Sequence, residues 1–364
     1  MRILYFSLGY STHDYRFLKA ISDHGHEVHF VQLEGNRRHV EDRPVPENVK
    51  QVIWKGGRKS FRWRDLPAIT LDFRRLIREI QPDLIHAGPI QTCAWIAVLS
   101  GFRPVLTMSW GFDLMDDVHK GRIWEFATRY TLKRSAFFVS DANVTRDKAV
   151  EYGMDPNKTL VFPWGVDLQH FNVQTPERSD VPAFTLFCNR SWEPRYGVDV
   201  LARAFVNVAR QKEDVGLILL GGGSQGHVIR SILQKGNVLD RVTFGGQVSQ
   251  TDLPRWYHMA DLYISPSHVD GSSVSLMEAL ACGIPCLVSD IPANQEWVFE
   301  NENGWLFRDG SVEDLASKIM AAIDRRGNLQ KIGQAGRRIA ESRADWQKNS
   351  EMLMNVYRGL VAKG

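Results

Sequence analysis

Short apolar runs separated by amphipathic stretches recur in two series along this chain, with a turn-rich polar break between them. That rhythm leaves few folds open. In the first series Ile3–Ser7, Val28–Leu33, Leu84–Ala87, Val105–Met108, Phe137–Ser140 and Leu160–Phe162 read as strands, with helical patterns at Phe17–Asp23 and Ile69–Ile80. The break runs through Pro163–Phe171 and the polar stretch Val173–Pro182, which reads as an interdomain linker. The pattern then restarts. Phe184–Cys188, Gly216–Leu220, Val242–Phe244, Leu262–Ile264 and Cys286–Ser289 read as strands, and Val198–Ala209, Val228–Gln234, Leu253–Ala260, Val274–Cys282 and Val312–Ile323 as helices. Strands alternating with helices of about 10–15 residues imply parallel sheets covered on both faces. The expected fold class is α/β, with two Rossmann-like doubly wound domains. The domains are placed at residues 1–165 and 173–344. A last helix over 345–364, carrying Trp346, Met352, Leu353, Tyr357 and Leu360, is expected to pack back on the first domain. In open parallel sheets ligands bind beyond the carboxyl ends of the strands, so two such domains facing each other would hold a ligand in a cleft between them.

Composition fits this frame. The 364 residues suffice for two ordinary domains, and 43% hydrophobic with 24% charged residues is that of a globular protein. Four scattered cysteines, none spaced as a zinc half-site, and a start that goes directly into a strand pattern imply reduced thiols and a cytoplasmic location. No apolar run is long enough to span a membrane. The net charge is only +3 but is unevenly spread. Residues 37–78 hold twelve Lys and Arg against five Asp and Glu, with Trp54, Phe61, Trp63 and Phe73 among them. That segment reads either as plain solvated surface or as a face for anionic lipid headgroups at the inner side of a membrane. Nucleic acid is not expected, because no nucleic-acid motif accompanies the charge.

The most specific stretch runs from Asp270 through Gly271, Ser272, Ser273 and Val274 to Glu278, then Ala279, Gly283 and Pro285. A strand ends, a small-residue loop follows, and a helix starts. Free amides at a helix start bind phosphate, helped by the helix dipole. Glu278 lies about 7 Å further along the helix, at 1.5 Å per residue, comparable to the step from a diphosphate to a ribose. Asp270 would then face the sugar end of such a ligand. The alternative is that the serines only cap the helix and Glu278 is a solvated helix residue. Arg190 and Arg195 lie on the loop after the first strand of the same domain, stiffened by Pro194. They read either as a clamp for a diphosphate or as two surface arginines. The loop Gly221–Ser224, with Gly222 at its middle, is a glycine-rich turn of low specificity.

Together these residues make the second half resemble the nucleotide-binding domain of retaining glycosyltransferases of family 4, which have the GT-B architecture. That family carries a Glu, seven residues and a second Glu, followed by Ala, a small residue, Gly and Pro; here Asp270 and Glu278 take the two acidic positions. Arg190 and Arg195 resemble its Gly-Arg then Lys-Gly loop, with Arg195 for Lys and Tyr196 inserted before Gly197. Ser289-Asp290, the segment Glu302–Leu306 and Gly165-Val166-Asp167 before Phe171 extend the match. The resemblance implies that Arg190 and Arg195 bind the donor diphosphate and stabilise the leaving nucleotide. It implies that Glu278 holds the ribose, that Asp270 contacts the transferred sugar beside Ser272, Ser273 and Val274, and that Gln247 and Val248 sit near the base. Asp for Glu at 270 shortens the reach and bears on the choice of sugar.

In the first half, Gly9 follows the first strand and is positioned to meet the donor phosphate, while His13, Asp14 and Arg16 either reach an acceptor or form a local hydrogen-bonded cap. A lone glycine there, with no Gly-x-Gly-x-x-Gly pattern, argues against a dinucleotide dehydrogenase. Trp110 and Asp113 follow another strand and are taken as residues of the acceptor side. His86 and His119 are further candidates, with a structural role as the competing reading. Metal is not expected, since arginines and helix amides can replace a divalent ion in this task. The expected activity is transfer of a hexose from a nucleotide diphosphate sugar, UDP- or GDP-linked, to a hydroxyl of a glycan or lipid-linked saccharide, with retention of configuration. A nucleotide-sugar-binding protein without transfer activity and an epimerase of similar shape are the rival readings.

Overall fold

The computed structural model describes residues 1–34, 41–58, 60–174 and 182–362. Arg37, Arg38 and Lys59 of the basic segment, and residues 175–181 of the expected linker, lie outside the described residues. The chain forms two compact units, Met1–Pro163 together with the stretch from Lys348 onward, and Trp164–Gln347.

The first unit is a seven-stranded parallel sheet of β1 (Arg2–Ser7), β2 (Glu27–Gln32), β3 (Val49–Val52), β4 (Leu84–Ala87), β5 (Val105–Met108), β6 (Phe137–Ser140) and β7 (Thr159–Val161). The strand order is β3-β2-β1-β4-β5-β6-β7. The second unit is a six-stranded parallel sheet of β8 (Phe184–Cys188), β9 (Val215–Leu220), β10 (Val242–Gly246), β11 (Leu262–Ser265), β12 (Cys286–Ser289) and β13 (Gly304–Phe307), in the order β10-β9-β8-β11-β12-β13. All registered pairs are parallel, and the α/β reading of the sequence holds. Two strands go beyond that reading. Both lie at sheet edges; β3 has no unbroken apolar run, whereas β13, Gly-Trp-Leu-Phe, is apolar and mostly buried but only four residues long. In β3 only Val49 is buried, and Lys50 and Gln51 face solvent.

Strand side chains alternate between two cores in the second unit. Phe184, Leu186, Leu217, Leu219, Leu262, Ile264 and Leu287 face one. Phe187, Ile218, Leu220, Tyr263, Cys286 and Val288 face the other. Burial on both faces is why these strands read as continuous apolar runs. The helix Val274–Ala281 lies on the second face and meets the helix Leu329–Arg343, where a Cβ on Gly333 would stand 1.8 Å from the Gly283 carbonyl oxygen. Only glycine permits that approach. The last helix, Trp346–Val361, carries Tyr357 into the first unit, where its hydroxyl is 2.5 Å from Nδ1 of His86. All four cysteines are buried and unbridged.

Candidate functional site

In the second sheet the chain turns one way after β8 and the other way after β11, and these strands are neighbours. The crevice at such a switch point is where open parallel sheets bind ligands. Its two walls here are the loop Asn189–Gly197 after β8 and the loop Pro266–Ser273 after β11. Gly197 holds them together. It has φ +60°, and a Cβ there would sit 2.2 Å from the Pro266 carbonyl oxygen. The His268 amide donates to the Arg195 carbonyl at 2.9 Å. Sequence places the two loops some seventy residues apart; topology makes them one site.

Arg190 and Asp270, expected at the diphosphate and at the sugar of a donor, are directly paired. Arg190 Nη2 donates to Asp270 Oδ2 at 2.7 Å, and Nη1 donates to the hydroxyls of Ser273 at 2.7 Å and Ser275 at 2.9 Å. Its guanidinium lies 4.4 Å from the Tyr196 ring centroid. The two side chains are 11% and 17% exposed, so this is a desolvated pair. Burial pushes the Asp270 carboxyl above its ordinary range, and Arg190 and the Gly271 amide pull against that.

The helix Val274–Ala281 starts at Ser273, whose Oγ accepts from the Leu276 amide at 3.4 Å, so the capping reading of that serine is correct as far as it goes. Ser272 is buried and accepts from Nε1 of Trp297 at 3.0 Å. Val274 is half-buried at the first helical position. Glu278 is not a solvated helix residue: it is 3% exposed, with the Tyr257 hydroxyl 2.9 Å from Oε2. That phenol also lies 2.9 Å from the Ser275 carbonyl oxygen and accepts from Asn189 Nδ2 at 2.9 Å. The Tyr263 hydroxyl donates to Ser275 Oγ at 2.8 Å. One hydrogen-bonded network therefore runs from Asp270 through Arg190 and Ser275 to Tyr257 and Glu278.

The remaining loops of this unit converge on the same rim. The Gly222 carbonyl accepts from the Trp192 amide at 2.9 Å and the Ser191 hydroxyl at 3.3 Å. The Gly221 amide donates to the Gly246 carbonyl at 2.6 Å, which fixes the turn leading to exposed Gln247 and half-buried Val248. Arg195 is half-buried in the single turn Pro194–Tyr196. Ser275, Tyr257 and Asn189 were missed by the sequence reading. Ser275 lies inside the motif but among the seven positions it leaves unspecified, and Tyr257 is spaced like any core aromatic of its helix.

In the first unit, of the two readings of Asp14 the cap is the one seen. Its carboxylate accepts from the Ser11 amide at 2.8 Å, the Ser11 hydroxyl at 2.6 Å and the Tyr5 hydroxyl at 3.1 Å, closing a capping box on the helix Thr12–Asp23. Asp113 is likewise buried. It accepts from the Ser109 hydroxyl at 2.5 Å and from the amides of Ile90, Trp110 and Leu114 at 3.1–3.2 Å. Burial pushes both carboxyls up to about 6 against these donors. Asp14 holds the loop after β1 to its helix and Asp113 ties the loops after β4 and β5 together, and both carboxylates are buried. His13 and Trp110 meet edge to face with ring centroids 5.6 Å apart. Gly9 is buried in the loop after β1, and Arg16 is half-buried on the helix that carries His13. His86 is fully buried among Tyr5, Phe17 and Tyr357, which makes it structural, and burial holds its pKa down at about 3. His119 is exposed.

Comparison with known proteins agrees with the geometry. The family described as "Glycosyl transferases group 1" matches residues 174–339, and "Glycosyl transferase 4-like" matches residues 2–142. The chain is 26% identical over 320 residues, 80% of each chain, to the GDP-mannose-dependent alpha-(1-6)-phosphatidylinositol monomannoside mannosyltransferase of Mycobacterium tuberculosis. It is 30% identical over 245 residues, 60% of this chain and 57% of the relative, to the D-inositol 3-phosphate glycosyltransferase of Xylanimonas cellulosilytica. Its fold is similar to that of sucrose-phosphate synthase from Thermosynechococcus elongatus, with a TM-score of 0.85 at 18% identity and full coverage of both chains. It is also similar to Anabaena Alr3699/HepE in complex with UDP, at a TM-score of 0.80 and 16% identity over 99% of this chain and all of that one. With one family match on each unit, and the motif residues gathered at the switch point of the second sheet, the chain belongs to the group 1 and 4-like glycosyltransferases and is a hexosyltransferase of GT-B type.

Proposed function

We propose that this protein transfers a hexose from a UDP- or GDP-linked donor to a hydroxyl of a lipid-linked or cell-envelope saccharide, with retention of configuration. The observation that carries the reading is the network joining Asp270, Arg190 and Glu278 at the switch point. In this reading Glu278 accepts bonds from the ribose hydroxyls. The start of the helix at Val274 and Arg195 hold the diphosphate and take up its charge as the glycosidic bond breaks. Asp270 meets the hexose. The acceptor hydroxyl attacks the face the nucleotide leaves, and its proton goes to the departing phosphate oxygen, so no side-chain base is required. Arginine and helix amides supply the positive charge a divalent ion would otherwise bring. His13 and Trp110, with Arg16 and Gly9, belong to the acceptor side.

The acceptor reading rests on relatives whose names include phosphatidylinositol substrates, and on the surface of the first unit. There Trp63, from the basic segment, packs against Trp95 and Trp124 at centroid distances of 4.9 and 5.1 Å. Ile123 and Phe126, on the helix Arg122–Arg134, are about 60% exposed; Phe126 lies 5.8 Å from the Tyr130 ring, which the Arg134 guanidinium covers at 3.8 Å, and exposed Lys133 is in the same last turn. Such a face suits anionic headgroups at the inner side of a membrane.

The test is turnover. Purified protein given UDP- and GDP-hexoses should release free nucleotide slowly without acceptor, and Arg195→Ala should depress that rate at least as much as it depresses donor binding. Tight binding with no turnover would favour the binding-protein reading, and unchanged turnover in the variant would remove Arg195 from the leaving-group role.

A further inference from the structure

We infer that Tyr257 is a positioning residue that fixes the Glu278 carboxylate for the ribose of the donor, under the direction of Asn189; this rests on the ribose role proposed for Glu278. Tyr257 sits on the helix Leu253–His258 and is fully buried against Phe171, Phe187 and Tyr263. A phenol has a single proton to give. Asn189 Nδ2 donates to its oxygen at 2.9 Å, which occupies a lone pair and turns the proton away from Asn189. Two acceptors remain in reach, Glu278 Oε2 and the Ser275 carbonyl oxygen, each at 2.9 Å. The bond to a charged acceptor is the stronger, so the carboxylate takes the larger share. Burial and the neighbouring Glu278 charge hold the Tyr257 pKa far above its ordinary value, so the phenol remains a donor.

Asn189 immediately precedes Arg190, and Ser275 accepts from Arg190 through its side chain while its carbonyl faces Tyr257. The loop that carries Arg190 therefore also sets the proton that holds Glu278. A phenol used only to fill space would need neither the amide nor the carboxylate at these distances.

The experiment measures the affinities of wild-type protein, Tyr257→Phe, Asn189→Asp and Glu278→Gln for UDP and GDP and for the 2′-deoxy and 3′-deoxy forms of whichever binds. Phe keeps the packing and deletes the hydroxyl. Asp at 189 puts an acceptor where a donor was and draws the phenol proton from Glu278. The expected result is a loss of about tenfold for the ribonucleotide in Tyr257→Phe and Asn189→Asp, the scale of one hydrogen bond to a charged group. Affinity for a deoxynucleotide lacking the contacted hydroxyl should be unchanged. Equal losses for ribo and deoxy forms, or no loss, would overturn the positioning role. If Glu278→Gln itself failed to distinguish the two forms, the ribose reading of Glu278 would fall. If Glu278→Gln distinguished them and Tyr257→Phe did not, only the present inference would.

Discussion

Arg190→Met should be among the most damaging single changes in the second unit, and its cost should depend on pH. The guanidinium gives three hydrogen bonds to protein groups and is 11% exposed, and the carboxylate it faces is 17% exposed. Removing one partner of a buried pair leaves an uncompensated charge, which costs about 3–5 kcal/mol. Asp270 can escape by taking a proton, and its carboxyl is already pushed upward by burial. Without Arg190 the folded-state pKa rises further above the unfolded value. The folded variant then holds its proton more tightly than the unfolded chain, so stability is retained at low pH and lost as pH rises through the folded pKa. The limiting slope is about 1.4 kcal/mol per pH unit for one group. Urea unfolding at pH 5 and pH 8, with hydrogen exchange across 266–281 to localise the effect, should show a deficit that widens with pH. In the double variant Arg190→Met with Asp270→Asn the widening should vanish and a large part of the stability return, a coupling of about 2–3 kcal/mol. A cost below about 1 kcal/mol at pH 8, or a double variant no more stable than Arg190→Met, would show that solvent already neutralises the pair and that the buried network is not what holds Asp270.

Two further predictions concern the first unit. Burial holds the His86 pKa down at about 3, below the usual 6.5, so the unfolded chain binds the extra proton first and stability should be lost as pH falls from about 6.5 toward 3; His86→Gln should flatten that limb by about 5 kcal/mol in acid unfolding curves, and an unchanged slope would mean the imidazole is hydrated. Reversing charge at Lys133 and Arg134 should lower co-sedimentation with vesicles containing phosphatidylglycerol at low salt but not with neutral ones, and equal recovery with both vesicle types would leave that face as ordinary surface.

The fold was legible in the sequence because strands buried on both faces must be apolar throughout. What escaped were β3, an edge strand with only Val49 buried, and β13, a four-residue apolar strand that follows directly on the polar turn at 301–303. The motif residues around Arg190, Asp270 and Glu278 could be picked out by type and spacing, but a helix cap uses the same glycine and serines, and only the family resemblance favoured a ligand site. Their partnerships were not legible. Nothing in the spacing of Arg190 and Asp270 indicates that they bond to each other, since that follows from β8 and β11 being neighbours. Tyr257 and Ser275 were invisible for a related reason: a buried tyrosine in a helix and a serine at a position the motif leaves unspecified look the same whether or not their hydroxyls meet anything. In the first unit, Asp14 and Asp113 show the opposite case, conspicuous carboxylates spent on loop structure.

The direct bond between Arg190 and Asp270 also bears on ionic strength. Two opposite charges in contact present almost no net field to solution, so an anionic donor approaching this crevice is not drawn in by a bare guanidinium. If this crevice holds the donor as proposed, binding becomes an exchange of hydrogen-bond partners at nearly constant charge, with Arg195 and the helix start left to supply the attraction. Donor affinity should then fall only gently with added salt, and inorganic phosphate, which has charge but no hydroxyl-bearing sugar to offer Asp270, should compete poorly for the same place.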